Sequence, residues 1–509
     1  MIDLEKARVT RAVASFDPTP SRRFSVAIDV ATEAPPEVTV VGIPVYADGA
    51  VPDRHELDRA TLEASGFAAE VGQTLVLPRV GAPTVIEVGL GRRDTFGAAA
   101  LRDAAAAFAR AAVRHGRLAI DLTGLSGVDP VTMGQAVVEG VLLARYRYTA
   151  FVDRPAETRL AGLALVVAAD RRAAVAEGAR RGRVTARATC TARDLCNTPA
   201  THLTARRMAE VATEIAAETG LGIEVFDEHQ LAELGCGGLL GVNAGSGEPA
   251  RMIKLTYRPA NGAPTGHLGL VGKGIMYDAG GISLKPSDAM HAAMKLDMSG
   301  AAAILGAMST LRDLDCPAAV SGWLMCTDNM PSGTATRLGD VLTIRDGTTV
   351  EVVNADAEGR LVMADGLALA VEDDVDAIVT IATLTGAALR TFGSALAPVL
   401  GNRPDLVAQL RAAGDAADEP LWELPLVAKY RRKLASSIAD LKNMGGVDAG
   451  TITAGLFLEA FVGDKPFGHL DICGPMMTEA DDGWRSTGAT AFGTRLLAEL
   501  AVAFRPPAG

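Results

Sequence analysis

The sequence lacks the marks of several protein classes. Its six cysteines stand at 190, 196, 236, 316, 326 and 473, and none forms a Cys-x-x-Cys pair. That argues against a zinc knot and against a small disulfide scaffold. The seven histidines are isolated and no His-Glu-x-x-His occurs, so histidine-based zinc chemistry has no motif to rest on. Aromatic residues make up only 4%. No stretch approaches the roughly 18 uninterrupted apolar residues of a membrane span. The opening residues, MIDLEKARVTRAVASFD, carry early charges and no apolar core, so no signal peptide is expected. A reducing cytoplasm is the expected compartment. Positive charge is also short. The formal balance is −12, which makes phosphate backbones poor partners and nucleic acid an unfavoured ligand. Seven arginines between 171 and 193 are the local exception. A solvated, salt-bridged helix face explains them better than a binding patch.

What is present is ordinary globular material in quantity. At 509 residues the chain exceeds what one core usually fills, and 49% hydrophobic residues can supply two. The abundance of alanine and glycine predicts close packing. In the first third, SVAIDVA, VTVVGIPVY, TLVLP, TVIEVGLG, LAIDLTGL and GLALVVAA read as strands, and FGAAALRDAAAAFARAAVRHG reads as a helix. This predicts an N-terminal α/β domain over 1–170, a helical linker over 171–195 stopped by Asn197-Thr198-Pro199, and a catalytic domain over 196–509. In that last part LGLVG, AVSGWLMC, AIVTIATL and GHLDIC read as interior strands. Gly89-Leu90-Gly91 follows a strand, but the third glycine of a dinucleotide loop is missing.

Chemistry concentrates between Lys273 and Glu358. The strand Leu268 to Val271 runs into Lys273, Asp278 and Lys285. A second strand, Val350 to Val353, runs into Asn354, Asp356, Glu358 and Arg360, with a helix beginning near Leu361. Asp297 precedes a helix of small residues. In open α/β sheets ligands bind at strand ends. Four carboxylates there (Asp278, Asp297, Asp356 and Glu358) would repel strongly, and divalent cations are the simplest way to hold them together. A bridging carboxylate could serve two metals about 3.5–4 Å apart. Oxygen-rich ligation suits manganese, magnesium, cobalt or zinc. Taken singly, each piece has a plainer reading. Asp-Ala-Glu-Gly-Arg is commonly a capped helix start, and a lysine after a strand commonly snorkels to the surface. The apolar, glycine-rich surroundings weaken both readings, since embedded charges need partners.

These segments resemble the leucyl aminopeptidase (cytosol aminopeptidase) family of dinuclear metallopeptidases. Its Asn-Thr-Asp-Ala-Glu-Gly-Arg-Leu signature is matched by Asn354 to Leu361, its Val-Gly-Lys-Gly…Asp-x-Gly-Gly segment by Val271 to Gly281, and its Met-Lys-x-Asp-Met by Met294 to Met298. Further blocks fall at Arg193–Pro199, Asp328–Gly333, Ala382–Ala387, His469–Gly474 and Gly488–Thr490. The likeness spans 193 to about 497, while the N-terminal part matches only in its strand–helix rhythm.

The resemblance implies a smaller N-terminal α/β domain and a larger C-terminal α/β/α sandwich with a mixed central sheet. It implies two divalent metals, one held by Asp278, Asp356 and Glu358, the other by Lys273, Asp278, Asp297 and Glu358. Lys273 can ligate only as a neutral amine. It implies that a hydroxide bridging the metals attacks, that Lys285 stabilises the oxyanion, and that Arg360 holds a bicarbonate-like anion relaying the proton. Peptide substrates would lose their first residue, preferably an apolar, Leu-like one. Met294, Asn354, Thr383, Gly386, Cys473 and Met476 would line that residue's pocket. A homohexamer is the implied assembly, with no membrane partner. The chain departs from the pattern at Ala355 and Ala279, each replacing a hydroxyl residue, at Cys473, where many relatives have alanine, and in a 285–297 loop one residue longer than usual. A specialised dipeptidase or tailoring hydrolase, and a DNA-binding regulator on the same scaffold, are the alternative readings.

Overall fold

The computed structural model describes residues 16–48, 51, 57–152 and 158–508. Most of the opening segment read above for a leader therefore lies outside the described residues. The branched and alanine-rich runs resolve into two α/β units. One comprises residues 20–190 with 478–488, the other residues 191–477 with 489–508 and 16–19.

In the first unit six strands form one sheet. They are β1 (Ala27–Ala31), β2 (Val40–Val45), β3 (Thr74–Leu77), β4 (Thr84–Gly89), β5 (Arg117–Asp121) and β6 (Gly162–Val166). Their order is β1-β6-β5-β2-β4-β3, and all pairs are parallel except β3 with β4. All six coincide with runs read as strands. The helix Ala98–Ala111 was also expected, but its partner Pro130–Ala144 was not. The latter is apolar nearly all round, with little of the periodicity that reveals an amphipathic helix. Phe108, Val137, Val141, Leu163 and Trp484 share this unit's core.

A single helix, Arg172–Asn197, covers the expected bridge. Its residues up to Cys190 belong to the first unit because Val175, Ala179 and Ala186 enter that unit's core. The segment 478–488 joins the same unit because Trp484 is fully buried there. Several of the arginines have protein partners. Arg171 and Arg172 donate to the Leu125 and Val30 carbonyls, Arg180 pairs with Glu177, Arg181 donates to Gln135, and Arg193 to the Thr490 carbonyl.

The second unit holds an eight-stranded sheet. Its strands, in chain order, include β7 (Gly222–Phe226), β8 (Arg251–Tyr257), β9 (His267–Asp278) and β10 (Ala319–Asn329). Two short strands, β11 (Val341–Thr343) and β12 (Thr349–Glu351), lie apart from it. Then come β13 (Ala377–Ala382), β14 (Ala397–Gly401), β15 (Leu421–Glu423), the short β16 (Leu441–Lys442) paired with β12, and β17 (Phe467–Asp471). The sheet order is β15-β14-β17-β13-β9-β10-β8-β7. β17, β13, β9 and β10 are mutually parallel, while β14, β8 and β7 add antiparallel pairs, so the sheet is mixed. Both faces are covered. Val271 and Gly272, successive on β9, face opposite ways. Helix Ser299–Met308 lies against Gly272, and helix Gly359–Glu372 against Val271. Among the described residues no helix is long and apolar enough to cross a membrane.

One charged pair lies inside the first unit. Arg102 Nε donates to Glu139 Oε2 at 2.8 Å, and both side chains are almost fully buried. Glu139 Oε1 also accepts from Thr185 at 2.6 Å and Gln135 at 3.0 Å. Removing one partner of a buried pair strands the other's charge. Arg102→Ala is therefore expected to destabilise this unit by about 3–5 kcal/mol in denaturant titration, against under about 0.5 kcal/mol for Arg183→Ala on the exposed face of the long helix.

Candidate metal centre

The four parallel strands end at one edge of the sheet, and that edge gathers the charged residues. β9 supplies Lys273 from its interior and Asp278 as its last residue. A short turn, Met294–Leu296, sets Asp297 ahead of helix Ser299–Met308. Glu358 caps helix Gly359–Glu372, and Asp356 stands two residues before it. Lys273 Nζ lies 2.8 Å from Asp297 Oδ2 and 2.7 Å from Glu358 Oε1, and donates to the Thr383 carbonyl at 2.9 Å. Lys285 Nζ lies 2.8 Å from Asp278 Oδ2 and 2.5 Å from Asp356 Oδ1. All five expected metal-binding residues and Lys285 thus meet in one cluster. Gly359 makes the approach possible, since a Cβ there would stand 2.6 Å from the Lys273 side chain.

Burial sets the electrostatics. It pushes the Asp297 carboxyl well up, and the Glu358 carboxyl up to about 7, with Asp278 adding repulsion to both. The Asp356 carboxyl is also raised, by burial and then by Asp278. Burial opposes the charge on Lys273 and Lys285, yet the surrounding carboxylates outweigh it and hold both as ammonium ions. Four ionised carboxylates would exceed the two ammonium groups by two charges, and the raised carboxyl values are how the metal-free cluster relieves that excess.

The remaining expected residues divide. Thr383 joins the cluster, its hydroxyl donating to Asp297 Oδ1 at 2.7 Å. Cys473 is close enough for its thiol to feel Asp471, Asp297 and both lysines, and burial pushes that thiol up to about 12, so it stays protonated. Asn354 turns to its own loop instead. Its Oδ1 accepts from the Asp356 amide at 2.9 Å, and its Nδ2 meets Met444 Sδ. Met294 and Met476 are buried, and Gly386 is exposed where helix Gly386–Phe392 begins. Arg360 is buried and donates to the Asn443 carbonyl at 2.8 Å, while its Nε has no hydrogen-bond partner.

Three polar residues escaped the sequence reading. Asn443, fully buried, donates to the Asn354 and Ala357 carbonyls and accepts from the Val353 amide, which shapes the loop bearing Asp356. Asp471 accepts from the amides of Leu384, Thr385 and Cys473 and from the Thr385 hydroxyl, which fixes the turn behind Thr383. Asn329 donates to Asp278. Asn329 and Asp471 lie in blocks already aligned by resemblance, whereas nothing local singles out Asn443.

The donor set suits hard divalent cations. Asp278, Asp297 and Glu358 can each direct an oxygen to one point, with those atoms within 4.8 Å of one another. Glu358 Oε2 is buried and has no hydrogen-bond partner, a state that a cation would relieve.

A model of the cytosol aminopeptidase family's catalytic domain matches residues 190–498, and one of its N-terminal domain matches 55–154. The chain belongs to the cytosol aminopeptidase family. It is therefore a metallopeptidase-type hydrolase, and its membership includes the N-terminal region, where only a structural rhythm was legible. A probable cytosol aminopeptidase of Streptomyces avermitilis is 41% identical over 466 residues, covering 87% of this chain and 88% of the relative. One from Gloeobacter violaceus is 39% identical, covering 84% and 87%. The solved structure of the bottromycin maturation enzyme BotP in complex with Mn gives a TM-score of 0.83 at 39% identity, covering 92% of this aminopeptidase-family chain and 99% of that one.

The helix carrying Glu358 is anchored by Asp365, which accepts from the amides of Leu239 at 2.7 Å and Arg345 at 2.9 Å. Burial pushes its carboxyl up to about 7, despite those donors. A folded-state value above the unfolded one, roughly 3.9, means that its contribution to stability is full at acid pH and is lost as pH rises through about 7. Melting of metal-free protein should show it. The difference in Tm between wild type and Asp365→Asn is expected to shift against wild type from about pH 4 to about pH 8, and a pH-independent difference would contradict this.

Proposed function

We propose that this family member hydrolyses the first peptide bond of peptides with a free N-terminus, favouring an apolar first residue. Two divalent cations would be held by Asp278, Asp356 and Glu358 on one side and by Lys273, Asp278, Asp297 and Glu358 on the other. The observation that carries this reading is the convergence of four carboxylates at one strand edge with a Glu358 oxygen left bare. Manganese or zinc is proposed, and magnesium or cobalt also suits the donors. The cations supply Lewis acidity, which polarises the scissile carbonyl and makes water acidic near neutral pH.

The chain's own residues do the rest. Lys273 must give up its Nζ proton before it can ligate, and the Thr383 carbonyl at 2.9 Å keeps the amine in place. With Asp278 and Asp356 engaged by cations, the Lys285 ammonium now paired with both would be free to oppose charge developing on the carbonyl oxygen. Arg360, buried with Nε unbonded, would retain a bicarbonate-like anion that passes on the proton. Met294, Thr383, Gly386, Cys473 and Met476 would shape the side-chain pocket, with Asn354 holding its wall through the Asp356 loop. Assembly as a homohexamer belongs to the same proposal, and light scattering would measure it. A second reading, a hydrolase dedicated to maturing one specialised peptide, draws on the likeness to BotP. A panel of dipeptides and amino-acid amides separates the two, because broad turnover speaks against dedication.

Chelation should abolish release of N-terminal residues, and Mn2+ or Zn2+ should restore it. Asp356→Ala and Glu358→Ala are expected to lose one or both metals by elemental analysis. Lys285→Ala should keep both and lose about 100- to 1,000-fold in kcat. If Lys285→Ala turns over normally, its assigned role is wrong. Cys473→Ala should change the ratio of Leu-amide to Ala-amide hydrolysis, and an unchanged ratio would remove Cys473 from the pocket.

A further inference from the structure

We propose that Asn329, the last residue of β10, is a positioning residue for the metal centre: its side-chain amide fixes one oxygen of Asp278 and aims the other into the cleft. The inference rests on the metal-dependent reading above and deepens it. β9 and β10 run parallel, with Thr327 opposite Ile275 and Asn329 opposite Asp278. Over that stretch β9 has one residue more than β10. Such a bulge re-aims side chains at strand ends. Here it sets Asn329 level with Asp278.

The contacts are specific. Asn329 is 4% exposed. Its Nδ2 donates to Asp278 Oδ1 at 2.8 Å and to the Ala355 carbonyl at 3.0 Å, while its backbone carbonyl accepts from the Ala279 amide at 3.0 Å. Both side-chain partners are acceptors, so chemistry dictates which way the amide faces. Asp278 Oδ1 also accepts from the Gly280 amide at 2.8 Å. Two donors therefore hold that oxygen, and Oδ2 is the one that meets Lys285 at 2.8 Å. Gly281 closes the arrangement, with φ +57° and a position where a Cβ would stand 2.6 Å from Asn329 Oδ1. One amide thus ties the end of β9, the end of β10 and the loop bearing Asp356. Contacts of this kind orient carboxylate ligands, and losing one typically weakens metal binding or activity about 10- to 100-fold.

An aspartate at 329 would place a carboxylate against two acceptors with nothing to donate. On charge alone it would favour cations, so weaker binding by that variant reports lost geometry. The test strips the full-length protein with a chelator and titrates Mn2+ calorimetrically and Co2+ by visible absorption. Wild type is compared with Asn329→Asp, Asn329→Ala and Asn329→Ser, and metal-free melting checks each fold. Expected are about 10- to 100-fold weaker Mn2+ binding and an altered cobalt spectrum in folded variants. If Asn329→Ala does not fold, the aspartate and serine variants decide. Wild-type affinity and spectrum in folded variants overturn the inference alone. A wild-type protein that takes up no divalent ion overturns the proposed function and this inference together.

Discussion

Mutual repulsion among Asp278, Asp297, Asp356 and Glu358 is the constraint to which the catalytic unit is built. Two like charges about 4 Å apart repel by about 4 kcal/mol at the effective dielectric of a partly buried site. Three of these four residues are buried, so water offers little relief. The protein answers with opposite charge and directed dipoles. Lys273 and Lys285 each bridge two carboxylates, Thr383 donates a hydroxyl to Asp297, and the Gly280 amide and Asn329 both donate to Asp278. The two lysines are unlike in one respect. Lys273 is sealed at the base of the cluster, while Lys285 reaches it from a partly exposed loop. The first is enclosed by protein, the second has room to change its partners.

Topology brings these groups together. Four parallel strands, β17, β13, β9 and β10, deliver their carboxyl ends to one edge. Each contributes at that edge: Asp471, Thr383 just beyond β13, Asp278 and Asn329. Buried hydrogen bonds then link neighbouring ends, so the cluster rests on a rigid sheet rather than on independent loops. Asp471 acts at one remove, clamping the turn whose Thr383 meets both Lys273 and Asp297.

Legibility in the sequence followed burial. The four runs read as interior strands are the four contiguous parallel ones, because strands covered on both faces need unbroken apolar residues. The outer strands on either side, β7 and β8 and β14 and β15, went unseen, being short or mixed in character. The clustered charged residues stood out because acids inside glycine-rich apolar segments are anomalous. Asn329, Asn443 and Asp471 did not, since a polar residue closing a strand looks like any turn. Their importance lies in partners 26 to 90 positions away, which local pattern cannot convey. The expected 171–195 bridge is helical, but its arginines masked its apolar side: Val175, Ala179 and Ala186 on the same helix enter the N-terminal unit's core.

The return of residues 478–488 to the N-terminal unit bears on how the protein is made. That unit is not a contiguous stretch of chain, and Trp484, wholly enclosed in its core, is synthesised some three hundred residues after the other contributors. A ribosome adding about 5–20 residues per second needs tens of seconds to reach it. The core of the N-terminal unit is therefore complete only once nearly the entire catalytic unit has been translated.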